Sequence, residues 1–209
     1  MKRTVGAILV IAMVLTFGCT AFAEVPHEVS AFSKIYQHGM LIGRGEGDFA
    51  LNETVTRAEM AQFAVNALNL KNVEGSLYYS DMDGHWAKSA ANLSHDFGAT
   101  PWNEKEFQPE NAVTYMEALQ IIVTILGYAP QAEAKGPYGF VMTATSLGIT
   151  EGLNFQPDAY ATRSDVATML ENAMNVPIMQ QTGFGAYEEF QIMDGKNGVP
   201  LVTLENNFQ

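Results

Sequence analysis

The chain has 209 residues and one cysteine, Cys19. No intramolecular disulfide can form, so stability must come from packing. Charge is scarce too: only 16% of residues are charged, and 11 basic side chains face 23 acidic ones for a formal net charge of -12. That balance excludes nucleic acid and anionic membrane surfaces as general partners. Arginine is rarest among the charges, present only as Arg3, Arg44, Arg57 and Arg163. No apolar run after residue 23 is long enough to span a membrane. What is present is 47% hydrophobic residues, a content that argues for a folded core rather than disorder.

The first residues read as a targeting segment. Lys2 and Arg3 give a positive start, Val5 to Phe17 is apolar, and Ala21-Phe22-Ala23 supplies a small-x-small cleavage site. Cleavage after Ala23 predicts a mature chain from Glu24, with 9 basic residues left of the 11 and a charge of -14 against the 23 acids. Cys19 falls in the lost segment, and Thr16 stands where a lipoprotein signal places leucine, which disfavours a lipid anchor. An exported, cysteine-free, acidic protein fits a bacterial envelope better than a eukaryotic secretory route.

A search for self-similarity finds one phrase three times. It reads Phe49-Ala-Leu-Asn-Glu-Thr-Val-Thr-Arg-Ala-Glu59, then Phe107-Gln-Pro-Glu-Asn-Ala-Val-Thr-Tyr-Met-Glu117, then Phe155-Gln-Pro-Asp-Ala-Tyr-Ala-Thr-Arg-Ser-Asp165. Each threonine (Thr56, Thr114, Thr162) stands three residues before an acid (Glu59, Glu117, Asp165), the spacing of a capping box at a helix start. At the same offsets past each threonine follow Met60, Phe63, Ala64, Ala67 and Leu68; Ala118, Ile121, Ile122, Ile125 and Leu126; Val166, Met169, Leu170, Ala173 and Met174. Fifteen apolar residues at helical spacing predict one buried stripe per phrase.

Before each phrase a second helical pattern closes on glycine, at Gly39, Gly98 and Gly148, where glycine suits the left-handed end of a helix. Each unit is therefore predicted as helix, glycine-containing loop, helix. One such hairpin cannot bury its stripe alone, so three should pack around a shared core.

These residues resemble the S-layer homology family, which anchors surface proteins to the walls of many bacteria. Thr56-Arg57-Ala58-Glu59 matches the family's capping turn in full and Thr162-Arg163-Ser164-Asp165 closely, while Asp81-Met-Asp-Gly-His-Trp-Ala87 matches its first-helix start. The resemblance spans roughly residues 27 to 177. It implies an all-α fold of three helix-loop-helix repeats packed as a pseudo-three-fold bundle. The divisions would be a signal peptide at 1–23, repeats at 24–76, 77–132 and 133–177, and a short β-prone tail at 178–209. It further implies non-covalent binding of an anionic secondary cell-wall polysaccharide, often pyruvylated, with no cofactor and no catalysis. Other surface-layer proteins are implied as further partners, and the implied location is the wall.

The ketal carboxylate of such a glycan needs a fixed cation, and guanidinium offers a planar two-pronged match. A helix N-terminus would add partial positive charge, and a Trp face can stack on a sugar ring. Two of the three arginines after residue 23, Arg57 and Arg163, directly follow a capping threonine, which random surface decoration of so acidic a chain does not give. The bland alternative is that both pair with nearby carboxylates. Tyr115 replaces the arginine in the second phrase, and the first and third repeats lack the His-Trp start, the third offering Pro137-Tyr138. The resemblance therefore implies one or two competent grooves, with Asp81 and Trp86 joining Arg57 and a second site around Arg163. A wall-associated enzyme and a protein-protein assembly module are the rival readings.

Other constellations carry less. Gly43-Arg-Gly-Glu-Gly47 has neither the preceding strand nor the Lys-Ser/Thr of a phosphate loop, and suits close backbone approach to a sugar. Asp81-x-Asp83-Gly84 opens like a calcium loop but lacks the later ligands, leaving a helix cap as its expected role. His85 and His95 have no second pair at zinc spacing, and no Gly-x-Ser-x-Gly elbow occurs. In the tail, Tyr187 to Met193 alternates, Asp194-Gly195 marks a turn, and Val199 to Leu204 is again β-rich, predicting a hairpin or the start of a β-domain.

Overall fold

A computed structural model describes residues 27–44, 48–71, 78–102, 105–183, 189–196 and 200–208. The expected signal peptide with Cys19 lies outside them, as do Gly45, Glu46 and Gly47, Tyr187 and Val199. The described chain is mostly helical, of the all-α class. Its helices are α1 (His27–Gln37), α2 (Arg57–Ala67), α3 (Lys88–Asp96), α4 (Tyr115–Ile125), α5 (Ala129–Glu133), α6 (Gly139–Ser146) and α7 (Arg163–Ala173).

Helices α2, α4 and α7 start where the repeated phrase puts a capping threonine. In each, the threonine hydroxyl accepts from the backbone N–H three residues on, and the acid there accepts from the threonine's own amide. The apolar stripes behind these caps are buried at every position except Leu68, which is half-buried. Helices α1, α3 and α6 end on Gly39, Gly98 and Gly148, with φ of +70°, +67° and +78°. The next residues, Met40, Ala99 and Ile149, donate back to Ile35, Ser94 and Ala144 and are buried, so each helix end is closed and tied to the core.

The three capping segments meet in a ring. Val55 N–H donates to Ala161 O, Ala161 N–H to Val113 O and Val113 N–H to Val55 O, at 3.0, 3.0 and 2.9 Å. Their side chains are all fully buried. The first-turn amides, orphaned in an isolated helix, are satisfied from the neighbouring phrase. Arg57 N–H donates to Asn111 O, Tyr115 N–H to Ala159 O and Arg163 N–H to Glu53 O. One residue on, Ala58, Met116 and Ser164 donate to Pro109, Pro157 and Leu51.

Outside the ring the pairing differs from the expected hairpins. The main helix contacts are α2 with α3, α4 with α6, and α7 with α1. Each phrase's helix thus packs against the helix preceding the next phrase, and α7 closes back onto α1. The stripe of each phrase thus meets its helical partner outside its own hairpin.

The tail folds differently from the hairpin read around Asp194-Gly195. Strand β1 (Met179–Gln181) pairs antiparallel with β2 (Phe190–Ile192). Val202 then bonds to both Met193 and Ile178, outside any strand. Two glutamines in β1 hid it from an apolar pattern, while buried Ile178, Met179 and Leu204 decide where the tail docks. Met179 N–H donates to Leu126 O at 2.9 Å and Tyr128 Oη to Pro177 O at 2.7 Å. A Cβ on Gly127 would overlap the Met179 carbonyl oxygen, so this close approach requires glycine.

Candidate functional site

A cleft of about 270 Å³ is lined by Ile42, Gly43, Arg44, Glu59, Gln62, Phe63, Trp86 and Arg163. Its floor is α2, its walls are the loop after α1 and the start of α7, and Trp86 stands just before α3. Every repeated unit therefore contributes to it.

Glu59 is the hub. Having capped α2 through the Thr56 amide, its carboxylate accepts from Arg163 Nη1 at 2.8 Å and from Arg44 Nε and Nη2 at 2.8 and 2.9 Å. Burial alone would raise its pKa. The Arg44 hydrogen bonds, the Thr56 amide and the charges of Arg163 and Arg44 outweigh that and hold the carboxyl below its ordinary value.

Arg163 is fully buried at 1% exposure. Its Nε donates to Phe49 O at 2.9 Å, its Nη2 to Ile42 O, and its guanidinium carbon lies 5.3 Å from the centre of the Phe63 ring. Burial depresses its pKa and the Glu59 charge opposes that shift. Arg44 is a third exposed; it forks onto Glu59 and also bonds Glu53, whose side chain is 63% exposed. Its hydrogen bond to Glu59 comes first in raising its pKa. Trp86, at 59%, is a large exposed aromatic on the cleft rim.

The structure thus brings Trp86 together with Arg163, not with Arg57 as expected. Arg57 lies over the Trp102 ring at 4.6 Å and donates through Nη1 to Phe107 O at 3.0 Å. Asp81 accepts the amides of Phe107 and Gln108 at 2.8 and 2.7 Å. It pins the second phrase's loop at Phe107, whose carbonyl Arg57 holds, rather than capping a helix; at the start of α3 it is His85 Nδ1 that accepts from Ala87 N–H. The helix N-termini offer a ligand less than their sequence suggests. All four amides from Thr56 to Glu59 are already bonded, as are those from Thr162 to Asp165, so none of them is left to meet an anion.

Arg44, Gln62 and Phe63 were not singled out from the sequence as site residues. Arg44 carried a usable signal, being one of only three arginines after residue 23. Phe63 carried none, as a member of an ordinary apolar stripe, and neither did Gln62, a polar residue beside that stripe. Among the described residues no group of three His, Cys, Asp or Glu is placed to hold a metal ion, and no helix is long and apolar enough to cross a membrane.

Residues 78–119 and 132–167 match the family model of the S-layer homology domain. These segments hold α3 with the second capping turn and α6 with the third; the expected first repeat, 24–76, lies outside them. The "Middle cell wall protein" of Brevibacillus brevis is 32% identical over 202 residues, which cover 88% of this chain and 19% of that protein. The "Surface layer protein" of Brevibacillus choshinensis is 30% identical over 209 residues, 93% of this chain and 19% of that protein. The "Cell surface protein" of Thermoanaerobacter kivui is 28% identical over 210 residues, 94% of this chain and 26% of that protein. The chain spans about a fifth to a quarter of the length of these relatives. It is a mostly helical chain that carries two S-layer homology segments and is similar along nearly its whole length to part of several bacterial surface proteins.

Proposed function

We propose that this chain attaches non-covalently to the bacterial wall by binding an anionic saccharide of a secondary cell-wall polysaccharide, and that it does so as a binding module without catalysis. The chain works as a secreted, wall-attached surface protein, a location indicated by the S-layer homology segments and by the surface-protein relatives. The three units, at about 24–76, 77–132 and 133–177, act together as a pseudo-three-fold anchor, a reading supported by the repeated phrase and the ring it forms.

One observation carries the choice of ligand. In a chain of net charge -12, the cleft lining holds two guanidiniums against one carboxylate, beside an exposed tryptophan face. Arg44 is the cation a ligand carboxylate can reach. Its contact with Glu53 lies at the surface, where an ion pair is worth about 0–1 kcal/mol and is readily exchanged. Arg163 and Glu59 hold the cleft in shape beneath it. Trp86 offers a flat apolar face for a sugar ring, and the volume of about 270 Å³ suits one such ring rather than a long chain segment. Arg57 and Asp81 support the neighbouring loop, and the capping residues fix the helices on which the cleft is built.

Sedimentation with purified walls tests this. Wild-type protein is expected to co-sediment with intact walls and to stay in solution once the polysaccharide is chemically removed. Arg44→Ala and Trp86→Ala are each expected to weaken binding about tenfold, the equivalent of 1.4 kcal/mol. Equal binding to stripped walls would point instead to a protein-protein assembly module, and release of wall fragments would point to an enzyme.

A further inference from the structure

The repeated capping turns invite comparison of the equivalent places around the ring, and they are not equivalent. Counting four residues past the glycine that closes each preceding helix gives Gly43, Trp102 and Gly152. At the first place, Gly43 lines the open cleft beside Glu59 and Arg163. At the second, the Trp102 indole occupies that space. Its Nε1 donates to Glu117, the capping acid equivalent to Glu59, at 2.7 Å. Its ring packs edge-on against Phe107 at 5.3 Å and lies under the Arg57 guanidinium at 4.6 Å, leaving it only 7% exposed. At the third place glycine returns, but the residue reaching toward the capping acid Asp165 is Tyr115, whose hydroxyl pKa is raised by burial and by Asp165. Among the described residues no guanidinium is bonded there.

From this register we infer that the chain takes one anionic saccharide per molecule, because Trp102 plugs the one other groove into which an arginine from a neighbouring capping turn, Arg57, reaches. The inference rests on the proposed glycan reading and adds its stoichiometry and the residue that sets it. Trp102 is a surrogate occupant: an aromatic plane under Arg57, with an N–H satisfying Glu117, the counterpart of the Glu59 carboxylate that Arg44 and Arg163 satisfy in the open cleft. Replacing it by the glycine found at both sibling positions should uncover Arg57 and Glu117. Tyr138, exposed at 63% just before α6, stands at the place equivalent to Trp86 for that groove.

Calorimetric titration with the methyl glycoside of a pyruvate-ketal hexose tests the inference. Wild-type protein is expected to bind one equivalent, with Arg57→Ala unchanged in both stoichiometry and affinity. Trp102→Gly is expected to bind a second equivalent, which Arg57→Ala then abolishes in the double variant. Two equivalents in the wild type, a loss of binding in Arg57→Ala, or a single equivalent in a Trp102→Gly protein of native helix content would overturn the plug while leaving glycan binding intact. If Trp102→Gly does not fold, the wild-type stoichiometry and the Arg57→Ala titration still decide. No binding by the wild type would overturn both this inference and the glycan reading beneath it.

Discussion

At the scale of single residues, Arg163 and Arg44 share a partner but do different work. Arg163 is a buried cation whose three nitrogens all bond within the protein, so removing it takes from Glu59 its buried partner and leaves the Phe49 and Ile42 carbonyls without that donor. Breaking such a pair costs about 3 kcal/mol or more, and Arg163→Met is expected to lower the urea midpoint accordingly. Trp86 is accessible, so Trp86→Ala should alter stability by no more than about 0.5 kcal/mol while weakening wall binding, whereas Arg44→Ala, which also removes two hydrogen bonds to Glu59, should cost about 1–2 kcal/mol. Glu59 makes the same point through pH. Its folded pKa lies below the ordinary 4.5, so its contribution is full above that value and is lost as the pH falls through the folded pKa. Urea midpoints measured from pH 7 downward should therefore fall more steeply below pH 4.5 in the wild type than in Glu59→Gln.

At the scale of elements, the capping boxes and the glycine helix ends were legible because each is a local device with its own spacing. Thr56, Thr114 and Thr162 sit where a hydroxyl can serve an amide three residues on, and that rule needs no knowledge of the rest of the fold. Loss of one cap is expected to cost about 1 kcal/mol, so Thr114→Ala should shift the thermal midpoint downward without altering wall binding. The pairing of helices was not legible in the same way. A stripe says that a face is buried but not against what, so α2 with α3 could not be told from α1 with α2. The same limit applied to the site. Arg57 and Arg163 look alike in sequence, and what separates them is the loop lying beneath each: Gly43 under one, Trp102 under the other. The tail's β1 escaped notice because Gln180 and Gln181 are exposed on a strand held by its neighbours' hydrogen bonds.

At the scale of the whole molecule, the ring of Val55, Val113 and Ala161 makes the three units depend on one another, and α7 packing on α1 joins the two ends of the helical region. The tail is fastened to this body through Met179 and Leu126. Gly127→Ala is expected to displace it, with early hydrogen exchange at Met179 and a lower thermal midpoint, because the added methyl meets a carbonyl that cannot move alone. The proposed seat of the anionic saccharide lies between Trp86 and the Arg44-Arg163 pair. Trp102→Phe keeps the second groove filled and leaves Trp86 as the chain's single tryptophan. Titrating that variant with the pyruvate-ketal hexoside should give a saturable change in Trp86 emission whose midpoint moves about tenfold higher in the added Arg44→Ala background. A variant that still binds intact walls yet shows no Trp86 response would rule out this seat, because the glycan would then be held elsewhere.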